Sequence, residues 1–125
     1  DYKRALDGDE GPNTGGMGAV ASRQLISAEM LETIEKQIVE PTVRGLRSEH
    51  LPYRGFLYFG LMLTPDGPKV IEYNCRFGDP ECQVLMMRLA SDLVAIMLAC
   101  ARGELAGTEA VLRDETALTV VMAAK

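Results

Sequence analysis

The sequence predicts an α+β fold, a sheet covered by helices, and two patterns carry that prediction. Residues 55–76 alternate aromatic and branched side chains on either side of a proline- and glycine-marked turn. Residues 27–46 and 80–102 repeat apolar positions at helical spacing. The scale is that of one core: 125 residues, 47% apolar and 25% charged, match an ordinary globular domain.

Residues 3–18 hold five glycines, a proline and an asparagine among several charges, a composition that reads as one long loop. Ser27 then suits a helix N-cap, with Glu29 and Glu32 in the first turn and Leu31, Ile34, Ile38, Val43 and Leu46 as an apolar stripe. Pro41 should kink or split that helix. Gly55–Thr64 and Lys69–Arg76 read as two strands joined at Pro65-Asp66-Gly67-Pro68. A helix begins near Pro80 and runs through Val84, Leu85, Met87 and Leu89. Ser91 or Asp92 caps the next one, which carries Leu93, Ile96, Met97 and Cys100 and stops at Gly103. Met86, Met87 and Met97 read as core, and residues 116–124 as a closing buried strand. The chain opens at Asp1 without a methionine and ends behind an apolar run, so both ends read as cuts with further sequence expected beyond them.

A net charge of −5, with no basic run longer than Lys3-Arg4, lacks the electrostatic footprint of a nucleic-acid or anionic-membrane binder. Three cysteines without a CxxC pair argue against a disulfide framework and a zinc site, and favour a reducing compartment. No run is apolar enough to span a membrane. Small-molecule chemistry fits best.

The sharpest feature is Glu72-Tyr73-Asn74-Cys75-Arg76. Strand side chains alternate, so Glu72, Asn74 and Arg76 share one face. A carboxylate and an amide oxygen about 7 Å apart along a strand can converge on one hard cation such as Mg²⁺. Arg76 could then hold a phosphate or carboxylate oxygen. A solvated edge-strand face has the same pattern, and alternation alone does not decide between them. The continuation Phe77-Gly78-Asp79-Pro80-Glu81 adds two acids on a tight turn at the mouth of a helix, where Asp79 also suits a capping role. The partner strand, residues 56–63, contains no acid, so phosphate and water must complete any cation shell.

The second feature is Gly11-Pro12-Asn13-Thr14-Gly15-Gly16-Met17-Gly18, whose glycines let backbone N–H groups approach an anion closely. It lacks the Lys and Ser or Thr of a Walker A loop, and its partial dinucleotide fingerprint has no convincing βαβ context. A flexible connector would look similar. Lys3 and Arg4 could reach a polyphosphate from the loop's entrance. His50 reads as an exposed structural residue, and no serine sits in an elbow motif.

These residues bring the chain close to a known family. Asp1-Tyr2-Lys3-Arg4, the stretch Gly11 to Ala19, the stretch Val70 to Gln83 and, more weakly, Thr116 to Lys125 resemble the glycinamide ribonucleotide synthetases, or phosphoribosylamine–glycine ligases, of the ATP-grasp superfamily. The resemblance implies the ATP-grasp C-terminal subdomain, a mainly antiparallel sheet covered by helices. Residues 1–125 would be part of the larger subdomain, with the first residues of the C-terminal domain at the end. It implies ATP, glycine and 5-phosphoribosylamine as substrates, with Mg²⁺ or Mn²⁺, in a cytoplasmic, monomeric parent that binds no nucleic acid or membrane. Carried over by residue, Glu72 and Asn74 match the metal ligands that bridge ATP phosphates. Arg76 and Asp79 would lie beside the reacting groups, and Lys3 and Arg4 near the nucleotide. Asn13, Thr14, Gly15, Gly16 and Gly18 would border the substrate pocket. The 125 residues alone, without the lobe that covers the nucleotide, would have no ligase activity.

Overall fold

A computed structural model describes residues 1–124; Lys125, the last residue of the C-terminal resemblance, lies outside the described residues. The first departure from expectation comes at once, since the glycine-rich stretch is a hairpin rather than a loop. Strand β1 (Tyr2–Leu6) turns through residues 7–9, where Gly8 and Asp9 take positive φ, into the long strand β2 (Glu10–Ala21). The pair is antiparallel, with Tyr2 opposite Gly18 and Arg4 opposite Asn13, and its register shifts twice. Main-chain pairing is indifferent to side-chain propensity, so glycines stay extended wherever a neighbour supplies the hydrogen bonds. Here β2 has neighbours on both sides.

The second neighbour is β5 (Ala117–Val120), antiparallel to β2 with Ala19 opposite Thr119 and Ala21 opposite Ala117. The order β1-β2-β5 is a three-stranded sheet. The expected closing strand is therefore present but short, and it is not buried throughout. Only Ala117 is covered, while Leu118, Val120 and Met122 are 58%, 69% and 95% exposed. The reason is geometric: alternate residues of an edge strand face away from the single helix that packs on the sheet. That helix, α3 (Glu81–Arg88), lays Val84 against Ala19 and Ala117 to form the core cluster.

After β2 the chain runs into a long helical stretch, α1 (Ala28–Ile34), a π-helical turn (Glu35–Val39) and α2 (Glu40–Ser48). Ser27 caps it as expected, its hydroxyl accepting from the Met30 N–H at 3.1 Å. The interruption falls just before Pro41, which lacks the N–H needed to continue an α-helical ladder. Of the expected stripe, Ile34 and Ile38 are buried, whereas Leu31 and Val43 are exposed.

The central hairpin is as expected, β3 (Tyr58–Thr64) against β4 (Gly67–Asn74), with a tighter turn at residues 65 and 66. Strand β4 ends at Asn74, so Cys75 and Arg76 belong to the following bend. Asp92 caps α4 (Leu93–Arg102), accepting from the Val94 and Ala95 N–H groups, and Gly103 closes that helix with φ of 76°. Met87 and Met97, expected in the core, are 61% and 47% exposed, because only the α3 face bearing Val84 meets the sheet and α4 has no buried residue. Cys75, Cys82 and Cys100 are free thiols, in line with the absence of a disulfide framework. No helix among the described residues is long and apolar enough to cross a membrane.

Candidate functional site

The two sheets meet at a small polar cavity, and most of the chemistry-bearing residues converge there. Strand β4 contributes Glu72 and Asn74, and the pleat holds both half-buried while Ile71 and Tyr73 point outward. Gly60 lies opposite Glu72, and a Cβ at that position would come within 2.6 Å of Glu72 Cγ. The glycine thus leaves the space in which the carboxylate's stem lies. Arg76, Gly78, Asp79 and Glu81 line the same cavity from the bend and the first turn of α3, Tyr58 from β3, and Lys3 and Gly15 from the first hairpin. The cavity has a volume of about 20 Å³, room for one water-sized occupant among polar walls.

Lys3 shows what the walls favour. Its ammonium sits 3.1 Å from Glu72 Oε1 and 3.6 Å from Asp1 Oδ2. The hydrogen bond from Lys3, helped by one from Asn74, holds the Glu72 carboxyl below the usual carboxylate range. A positive charge is therefore already preferred beside Glu72. With the Asn74 amide on the same face, the donor set is hard oxygen, which suits Mg²⁺ or Mn²⁺ better than a softer metal. Among the described residues no group of three or more His, Cys, Asp or Glu side chains could hold a metal ion. A cation here would take few protein ligands and complete its shell with water and phosphate, as Mg²⁺ does.

The glycine-rich strand reaches the site through two contacts. The Thr14 hydroxyl donates to the Lys3 carbonyl at 2.8 Å and accepts from the Gly16 N–H at 3.1 Å, which fixes Lys3 against β2. Gly16, with φ of 150°, lies against the Asp79-Pro80 turn, where a Cβ would overlap the proline ring. Arg4, Asn13 and Gly18 do not line the cavity. Arg4 donates to the Gly11 carbonyl at 2.8 Å, and buried Gly18 lets the Thr119 carbonyl approach. Gln83 donates to Asp79 Oδ1 at 3.1 Å and Arg76 to the Phe77 carbonyl at 2.7 Å, which orients the two side chains for which the resemblance implies a place beside the reacting groups.

Sequence reasoning missed Tyr58. Its hydroxyl donates to Glu81 Oε1 at 3.1 Å, and it lies opposite Asn74 in the hairpin. Burial first, then the charge of Glu81, pushes its pKa up to about 12. Only the strand register could have signalled it, because the partner is 23 residues away.

A family model described as phosphoribosylglycinamide synthetase, ATP-grasp (A) domain, matches residues 1–82. The chain belongs to that family. Its relatives include the phosphoribosylamine–glycine ligase of Rhizobium meliloti, 58% identical over 125 residues that make up all of this chain and 30% of that protein. The trifunctional purine biosynthetic protein adenosine-3 of Gallus gallus is 52% identical over 126 residues, covering 100% of this chain and 13% of that one. The crystal structure of phosphoribosylamine–glycine ligase from Thermotoga maritima superposes with a TM-score of 0.85 at 41% identity, over 99% of this chain and 31% of that one. The chain spans about 30% of the length of the bacterial ligases it matches. The α+β architecture, two antiparallel sheets with helices, is that of an ATP-grasp subdomain.

Proposed function

We propose that this chain is the metal- and phosphate-binding part of an ATP-dependent ligase that joins glycine to 5-phosphoribosylamine. The products are glycinamide ribonucleotide, ADP and phosphate, in cytoplasmic de novo purine biosynthesis. The observation that carries the reading is the convergence of Glu72, Asn74, Arg76 and Asp79 with Lys3 and Gly15 on one polar cavity. Residues 1–125 are part of the larger ATP-grasp subdomain, with the start of the C-terminal domain at the end, and the parent is a monomer.

The reaction has two steps. Glycine's carboxylate attacks the γ-phosphorus of ATP, which breaks the bond to ADP and gives glycyl phosphate; the amine then attacks the carbonyl carbon, phosphate leaves, and a proton is lost. Glu72 and Asn74 would hold Mg²⁺ or Mn²⁺, which when bound neutralises phosphate charge and clamps the transferred group. Lys3 exchanges its bond to Glu72 for a polyphosphate oxygen, and Arg4 adds positive charge at the entrance. Arg76 presents a guanidinium to the acyl phosphate, and Asp79, fixed by Gln83, orients the amine. Asn13, Thr14, Gly15, Gly16 and Gly18 form the strand that borders the substrates, with Thr14 setting the position of Lys3.

The test is substrate-dependent ADP release by a full-length ligase carrying this segment. Turnover that requires both glycine and phosphoribosylamine, and is lost in Glu72→Gln with the fold intact, supports the reading. Turnover only with another acid and amine, or undiminished turnover in Glu72→Gln, overturns it. The 125-residue chain alone, incubated with the same substrates, releases no ADP.

A further inference from the structure

We propose that Glu81, pinned by the Tyr58 hydroxyl, is a positioning residue for the cation on Glu72 and Asn74, accepting a hydrogen bond from a water in that cation's shell. The inference rests on the metal reading of the site given above.

Three observations point the same way. Glu81 opens α3 and lines the same water-sized cavity as Glu72 and Asn74, so its carboxylate faces the place a cation shell would fill. The Tyr58 hydroxyl holds Glu81 Oε1 at 3.1 Å, and Tyr58 sits opposite Asn74 in the β3–β4 ladder. One strand position therefore ties the acid to the amide ligand. Gly78 supplies the third, since a Cβ there would overlap the Glu81 carboxylate and the Tyr58 ring. The missing side chain is what lets acid and phenol lie against the bend.

A role confined to α3 would leave these features unexplained. An acid in a helix's first turn is favoured by the helix dipole anywhere on the surface, with no need of a phenol partner or a glycine clearance. Direct ligation fits less well, because no three acids among the described residues are grouped for a metal. Mg²⁺ keeps several of its waters, and carboxylates one water away from a cation orient that shell. The phenol remains a donor throughout the physiological range, with a pKa of about 12.

The experiment is Mn²⁺ binding to a full-length ligase carrying this segment, with free Mn²⁺ counted by electron paramagnetic resonance and unfolding followed in parallel. Glu81→Gln should weaken Mn²⁺ binding about tenfold or more, the range seen when a ligand's supporting partner is removed. Tyr58→Phe, which leaves every charge in place, should weaken it in the same direction, in a protein that is still folded at the assay temperature. Parent-like binding in Glu81→Gln, with binding lost in Glu72→Gln, overturns the inference and leaves the metal reading standing. Parent-like binding in Glu72→Gln as well sinks the metal reading and the inference with it. If Glu81→Gln does not fold, Tyr58→Phe decides alone, and parent-like binding there overturns the inference.

Discussion

Lys3 Nζ lies 3.1 Å from Glu72 Oε1, and this bond joins the first hairpin to the second across 69 residues of sequence. Both side chains are partly solvated, at 36% and 42% exposure, so the pair contributes little to stability. Under the proposed function its importance is positional, because an ammonium held beside the proposed cation site would be at hand for phosphate. Lys3→Met in a full-length ligase should raise KM for ATP on the order of tenfold, as the loss of one charge-assisted bond does. The melting temperature should stay close to the parent's. An unchanged KM would remove Lys3 from the proposed nucleotide site.

The neighbouring glycines Gly15 and Gly16 should differ sharply when replaced by alanine. A Cβ at Gly15 meets nothing within 4 Å, whereas one at Gly16 overlaps the Pro80 ring and comes within 2.8 Å of the Asp79 carbonyl, at a φ of 150°. Gly16→Ala should cost about 1–3 kcal/mol in urea unfolding and displace Asp79. Gly15→Ala should unfold like the parent. Equal midpoints for the two variants would mean that the close approach is not there.

The contrast between these glycines also shows where the sequence was legible. Glu72 and Asn74 were readable because period-two alternation within one strand fixes which side chains share a face. Ser27 and Gly103 were readable because caps are local chemistry, and Asp92 was one of two candidates beside Ser91. Strand β2 was not, since its glycines answer to neighbours that propensity does not contain: the Thr119 carbonyl close against Gly18 and Pro80 against Gly16. Tyr58 looked like any aromatic strand residue. Its role came from register and from a helix that begins 23 residues later. The overestimate of core at Met87, Met97 and Leu118 has a related cause, because apolar periodicity reports a face and says nothing of whether a partner covers it.

Arg88 is 7% exposed and has no acidic partner among the described ion pairs; Nε and Nη2 both donate to the Arg113 carbonyl, at 3.2 and 2.9 Å. The Arg113 N–H returns a bond to the Arg88 carbonyl at 2.7 Å, so residue 113 is stapled to the end of α3. Arg88→Leu keeps the apolar stem but leaves that carbonyl without its guanidinium. The expected loss is about 1–3 kcal/mol, read by chemical denaturation. A neutral result would show that water replaces the guanidinium at no cost.

The Tyr58 phenol gives a pH signature. Burial, followed by the charge and hydrogen bond of Glu81, raises its pKa to about 12, while Arg76 opposes the shift. In the unfolded chain a tyrosine ionises near 10, so between about 10 and 12 the folded state keeps a proton that the unfolded state has lost. The stabilisation from Tyr58 is therefore fully present below about pH 10 and declines as pH rises through the folded value. Tyr53 is raised too, so the parent's alkaline decline is a composite, and the difference between parent and Tyr58→Phe isolates the one phenol. The tyrosinate absorption difference between the two proteins should lack a transition at pH 10 and show one at about pH 12. Alkaline unfolding should be less steep in Tyr58→Phe. A phenol titrating near pH 10 in the folded protein would mean that Tyr58 is neither buried nor bonded to Glu81 as described, and the proposed cation shell would lose its anchor.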